Sequence, residues 1–275
     1  MTNKDERPGL LRIPVENTFT GLLGVIRGTA PRFTALLAGS VGSLPMPALR
    51  LAATRGVIAA QRELATRLAT GDRSTPDPVE AFQWFRRGAD KGDITCQYAL
   101  GVMYATGQGV PEGKFQAFLL YQKAADRGHA AAQFNLAVLY DTGNGVERDP
   151  KKALYWYSHS AAQGYARALF NLGIYYETGE AGTIDPEQAL NCYQKAAEQG
   201  FAEAQLRLGA AYLDGSLCRP APSEAWLLFS LAALSLASGD LYDQAELGRD
   251  AALQQMTLAE IEAARRRFRS ITANL

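Results

Sequence analysis

The chain has 275 residues, 47% of them hydrophobic, and its 28 Lys and Arg balance its 28 Asp and Glu. That is ample apolar material for a sizeable core, and the balanced charge excludes a globally basic nucleic-acid binder. No apolar run approaches the about 18 residues of a membrane span, and Met1 to Pro8 lacks the basic-then-apolar order of a secretory signal.

Charge is nonetheless uneven at the start, where Arg7 to Arg62 holds seven arginines and a single acid, Glu16. Residues 1–41 fit no repeat and read as a basic N-terminal segment. Thr18–Arg27 and Pro31–Ser40 are expected as two short, weakly amphipathic helices on either side of Gly28–Ala30. The arginines, with Leu22, Leu23, Leu36 and Leu37, suit an organelle-targeting presequence, as for a mitochondrion, or a peripheral membrane anchor. Asp5 and Glu6 count against a presequence.

Further along, the chain becomes periodic. Gly92, Gly128, Gly164 and Gly200 stand 36 residues apart, as do Gly107, Gly143, Gly179 and Gly215. Tyr104, Tyr140, Tyr176 and Tyr212 keep the same step, and so do Leu100, Leu136, Leu172 and Leu208. Earlier in each unit come Ala81, Ala117, Ala153, Ala189 and Ala225, then the aromatics Phe85, Tyr121, Tyr157, Tyr193 and Phe229. Ala89, Ala125, Ala161, Ala197 and Ala233 complete the set.

Residues 150–185 show why this spacing makes a pair of antiparallel helices. Pro150 suits a first helical position, where a missing N–H costs nothing. Ala153, Trp156, Tyr157, Ser160 and Ala161 then form one apolar stripe of a helix A, large in its middle and small at its end, so that a neighbouring backbone can come close. Gly164 permits the left-handed turn that closes it. Ala168, Leu172, Gly173 and Tyr176 form the stripe of helix B, Gly179 ends it, and the loop through Asp185 and Pro186 opens the next unit. The tyrosine row is expected in the core. Two short helices cannot bury their own apolar faces, so the units must stack.

The run Ala153-x-x-Trp156-Tyr157-x-x-Ser160-Ala161-Ala162-x-Gly164, followed by Ala168-x-x-x-Leu172-Gly173-x-x-Tyr176-x-x-Gly179, resembles the Sel-one-like repeat, a relative of the tetratricopeptide repeat. The resemblance covers residues 78–221 in four copies, 78–113, 114–149, 150–185 and 186–221. It implies an α/α superhelix that serves as an adaptor for macromolecular complexes, commonly in bacteria, without enzymatic activity. Some secreted members staple each repeat with a cysteine pair, and this chain lacks those pairs.

A 36-residue step back from the first good copy aligns Ala53, Gly56, Ala60, Leu64 and Gly71 with repeat positions, so 42–77 is expected as a degenerate first repeat and N-terminal cap. At the other end, 222–275 holds an altered last repeat, with Ala225, Phe229, Ala232 and Ala233 in register but Gly248 and Ala251 in place of tyrosine and glycine. A final helix begins at Thr257, whose spacing to Glu260 is that of a capping box, and Arg265, Arg266, Arg267 and Arg269 suit its negative pole. The fold class expected is therefore all-α: a superhelical solenoid of about six helix pairs with terminal capping helices.

Few residues invite chemistry. His129 and His159 lie in different units without a metal-ligand or triad pattern, His129 in a variable turn position and His159 on the solvent side of helix A. Gly107-Gln-Gly and Gly143-Asn-Gly lack the strand and the downstream Lys-Ser/Thr of a phosphate loop. Cys96, Cys192 and Cys218 show neither a disulfide framework nor metal spacing, which suits a reducing compartment. No catalytic residue, metal or cofactor is expected.

In a solenoid, positions that vary while the core repeats are candidates for recognition. One row on successive A helices is Gln83, Leu119, Tyr155 and Asn191, and the next is Arg86, Gln122, Ser158 and Gln194. A third, Arg87, Lys123, His159 and Lys195, is a stripe of basic character, expected to be largely neutralised within each helix by Asp90, Asp126 and Glu198. Tyr155 is the most attractive anchor. The function expected is a cytoplasmic, non-enzymatic adaptor that binds a peptide or protein, and no nucleic acid, on a concave helix-A surface. The alternative is an assembly factor localised by its basic N-terminal segment.

Overall fold

Several helices start or stop on residues that satisfy the unpaired backbone groups at helix ends. Asp77 accepts a hydrogen bond from the Glu80 N–H at 2.9 Å and Asp185 from the Gln188 N–H at 3.0 Å, each just before a proline that opens the helix. Gly71, Gly107, Gly143, Gly179 and Gly215 close helices in the left-handed conformation, with φ between 66° and 74°.

The computed structural model describes residues 41–72, 75–236 and 238–273. The two N-terminal helices expected before residue 41, and most of the basic segment, lie outside the described residues. Among the described residues there are thirteen helices and no strand. They are α1 (Met46–Thr54), α2 (Ile58–Thr70), α3 (Pro78–Asp90), α4 (Ile94–Thr106), α5 (Lys114–Ala125), α6 (Ala130–Thr142), α7 (Pro150–Ala162), α8 (Ala166–Thr178), α9 (Pro186–Glu198), α10 (Ala202–Asp214), α11 (Pro222–Ser235), α12 (Asp240–Gln254) and α13 (Leu258–Thr272). Odd-numbered helices from α1 to α11 are A helices, and even-numbered ones from α2 to α12 are B helices.

The chain forms two compact units, and the division falls inside α7 after His159. In the first, α1 to α5 each pack on the helix that follows, which is the nearest-neighbour pattern of a solenoid. In the second, α8 to α11 do the same, and α13 closes against α11. Phe268 of α13 meets Trp226 edge-on at 5.9 Å, and Thr257 with Glu260 forms a full capping box at its start.

The repeat core is an aromatic of each A helix set against a small residue of the preceding B helix. Phe85, Tyr121, Tyr157, Tyr193 and Phe229 are buried. A methyl group at Gly101 would come within 2.8 Å of the Tyr121 ring, and one at Gly173 within 2.5 Å of Tyr193. Two further devices keep the same period. The N–H groups of Gly113, Asp149, Asp185 and Ala221 donate to the carbonyls of Tyr104, Tyr140, Tyr176 and Tyr212 at 2.8–2.9 Å, tying down each loop between units. Buried Gln61, Gln133 and Gln205 donate to the carbonyls of Ala53, Ala125 and Ala197 at 3.0–3.2 Å, satisfying the end of the A helix before them.

The side chains of the Tyr104, Tyr140, Tyr176 and Tyr212 row are only half-buried, against the core placement expected from sequence. Phe82 and Phe118 stand edge-on to Tyr104 and Tyr140 at 5.4 and 5.8 Å, so these tyrosines cover the core from its rim. His129, read from the sequence as a variable turn residue, has a structural role instead. It is buried, caps α6 by accepting from the Ala132 N–H at Nδ1 (3.2 Å), and stacks on Tyr98 at 4.6 Å.

Candidate functional site

Because an A helix turns its aromatic and alanine stripe inward, the residues two before and one or two after each core aromatic face outward. In the first unit this leaves Gln83, Leu119 and Tyr155 exposed on α3, α5 and α7, Leu119 at 39% and Tyr155 at 54%. Tyr155 is held rather than loose: its ring meets Trp156 at 5.0 Å and His159 at 4.2 Å, and His159 Nδ1 lies 2.9 Å from the Tyr155 carbonyl.

The second row is mixed. Arg86 is exposed, whereas Gln122 and Ser158 are half-buried, and the Ser158 hydroxyl donates to the Leu154 carbonyl at 2.8 Å. Arg87, Lys123 and His159 of the third row are exposed. Among the described residues no ion pair within 4.0 Å joins Arg87 to Asp90 or Lys123 to Asp126, so the neutralisation expected from sequence is not formed there. Residues three apart at the last turn of a helix are free to turn their polar ends to water instead, where an exposed pair gains little. The Arg87 guanidinium lies over the Trp84 ring at 4.4 Å.

In the second unit, α9 exposes Asn191 and Lys195 and half-buries Gln194, whose amide donates to the Tyr212 hydroxyl at 3.2 Å. Lys195 and Glu198 likewise form no ion pair within 4.0 Å among the described residues. A half-buried cluster, in which Glu177 accepts from Tyr193 at 2.7 Å and pairs with Arg207, ties α8, α9 and α10 together.

Two cysteines and one histidine are buried away from solvent. Burial raises the Cys96 thiol well above its ordinary range and pushes Cys192 up to about 11, so both stay protonated near neutrality. Burial lowers His129 to about 4, against a weaker upward pull from Asp93, and keeps the ring neutral. Among the described residues no group of three or more His, Cys, Asp or Glu is arranged to hold a metal ion. No described helix is long and apolar enough to cross a membrane.

The Sel1 repeat matches residues 58–93, 94–129, 130–165, 166–201 and 202–235. The chain belongs to the Sel1 repeat family. Sel1 repeats generally mediate protein–protein interaction and typically serve as non-catalytic scaffolds. The matched copies begin on a B helix and end on the A helix that follows, the pair joined by the aromatic-on-small contact described above. Among solved structures, a Sel1 repeat protein from Oxalobacter formigenes is 26% identical, with a TM-score of 0.61 over 71% of this chain and 84% of that one. The protein c5321, a protective antigen present in uropathogenic Escherichia coli strains, shares the Sel1-like repeat fold at 21% identity and a TM-score of 0.54, over 82% of this chain and 71% of that one. No curated protein matches the chain.

Proposed function

We propose that this Sel1 repeat protein is a non-enzymatic adaptor that holds a peptide or protein partner on the outward face of its A helices. The observation that carries the reading is the exposure of Leu119 and Tyr155 at one repeated position, beside A-helix faces whose cores are otherwise closed. Leu119 and Tyr155 are already about half covered, so a partner that covers the rest of each gains roughly 1 kcal/mol, half of the about 1.5–3 kcal/mol of full burial. Three free cysteines, two of them buried, suit a reducing compartment, and we place the adaptor in the cytoplasm.

The test is affinity capture from native cells with the full-length protein, beside a variant carrying serine at Gln83, Leu119, Tyr155 and Asn191. Stoichiometric partners of the wild type are expected to be lost from the variant. The same partners on both proteins would sink the assignment of the site.

A further inference from the structure

Taken together, the helices α3, α5 and the first-unit part of α7 carry more positive charge than the B helices beside them. The α3, α5 and 150–159 segments carry Arg86, Arg87, Lys114, Lys123, Lys151 and Lys152 against only Glu80 and Asp90, and Glu80 is taken by Arg50. The B helices of the same unit, α2, α4 and α6, hold Arg62, Glu63, Arg67 and Asp141 and have no such excess. Lys114 and Lys152 reach Glu112 and Asp149 at 4.0 and 3.4 Å, whereas Arg86, Arg87, Lys123 and Lys151 have no acidic partner within 4.0 Å among the described residues. Asp126, the residue that ends α5, does not pair with Lys123 either.

The same helices also leave several apolar side chains exposed: Val79 at 56%, Phe115 at 59%, Leu119 at 39% and Tyr155 at 54%. Leu119 stands one turn before Lys123, and Gln83 one turn before Arg87, a rise of about 6 Å. Residues two apart in an extended peptide are separated by roughly 6.6 Å, so an apolar side chain and a carboxylate at i and i+2 match that spacing. Arg87 is pre-positioned by its Trp84 contact, which lowers the cost of ordering it.

We infer that the helix-A face of α3, α5 and α7 takes an acidic peptide segment with spaced apolar side chains. The inference rests on the helix-A reading above and specifies its ligand. The apolar residues give the contact its hold, and the unpaired cations select against basic and neutral segments and speed encounter. Such charges are exposed, so selectivity weakens as salt rises.

The experiment is selection of a random twelve-residue peptide display library on the full-length protein at low salt, repeated on R86E/R87E/K123E and on L119S/Y155S. All five positions are surface residues, and circular dichroism checks that each variant folds. Peptides enriched in Asp and Glu together with Leu or aromatic residues are expected. Binding of a selected peptide should fall at least tenfold in either variant. Enrichment of neutral or basic peptides that L119S/Y155S still releases would overturn the acidic ligand and leave the helix-A site standing. Peptides insensitive to both variants, or no enrichment, would overturn both. Tighter binding of a labelled single-stranded oligonucleotide than of any selected peptide would assign the face to nucleic acid instead.

Discussion

His129 offers Nδ1 to the Ala132 N–H and keeps Nε2 buried without a hydrogen-bond partner among the described residues, an arrangement open only to the neutral ring. Protonation would aim a second N–H at the helix start and place a charge inside the fold. Its folded pKa of about 4 lies below the 6.5 of an unfolded histidine, so the unfolded chain takes up the proton first. The contribution is therefore complete above pH 6.5 and is lost as pH falls towards 4. A shift of this size is worth up to about 3 kcal/mol. Asn at this position keeps a capping acceptor without the titration. The wild type is expected to lose stability relative to H129N between pH 7 and pH 4 in urea unfolding. A constant difference between the two would remove the argument.

At the scale of the helix pair, Gly173→Ala sets two effects against each other. Alanine in a helix gains about 1 kcal/mol over glycine. The added methyl, however, would stand 2.5 Å from the Tyr193 ring, which is fully buried and whose hydroxyl is fixed on Glu177 at 2.7 Å. Overpacking of this kind costs about 1–3 kcal/mol, and a ring tethered at its hydroxyl moves only at the expense of that hydrogen bond. Clash should win, and G173A should unfold at lower urea than the wild type; a higher midpoint would show that helix propensity governs.

The helix pairs themselves were legible in the sequence because their causes are local. Capping glycines, the prolines at helix starts and the Thr257–Glu260 box each depend on residues within one turn, and the period exposes them. Glutamines also recur at 36 residues, buried at Gln61, Gln133 and Gln205 and half-buried at Gln97, but Leu169 interrupts the row and hides it. What sequence could not place depends on a neighbour. His129 is drawn inward by Tyr98, and the half-burial of Tyr104 is set by Phe82. The lysines and arginines of the third row stand apart from Asp90, Asp126 and Glu198 because a pair in water gains too little to order two side chains.

For the molecule as a whole, repetition separates stability from recognition. Core positions are fixed by stacking, so stability is close to a sum over units and their nearest neighbours, and outward positions remain open to other uses. In the first unit those positions collect exposed apolar groups and unpaired cations; the candidate site was legible there only as a set of variable rows, since exposure and pairing need the fold. The central claim, that the A-helix face holds the partner, is tested most directly by photo-crosslinking in native cells. Benzoylphenylalanine is placed in the full-length protein at Tyr155, at Leu119 and, as a control, at the exposed loop residue Asn144. A discrete crosslinked partner is expected from positions 155 and 119 and not from 144. Crosslinks from 144 alone would contradict the account.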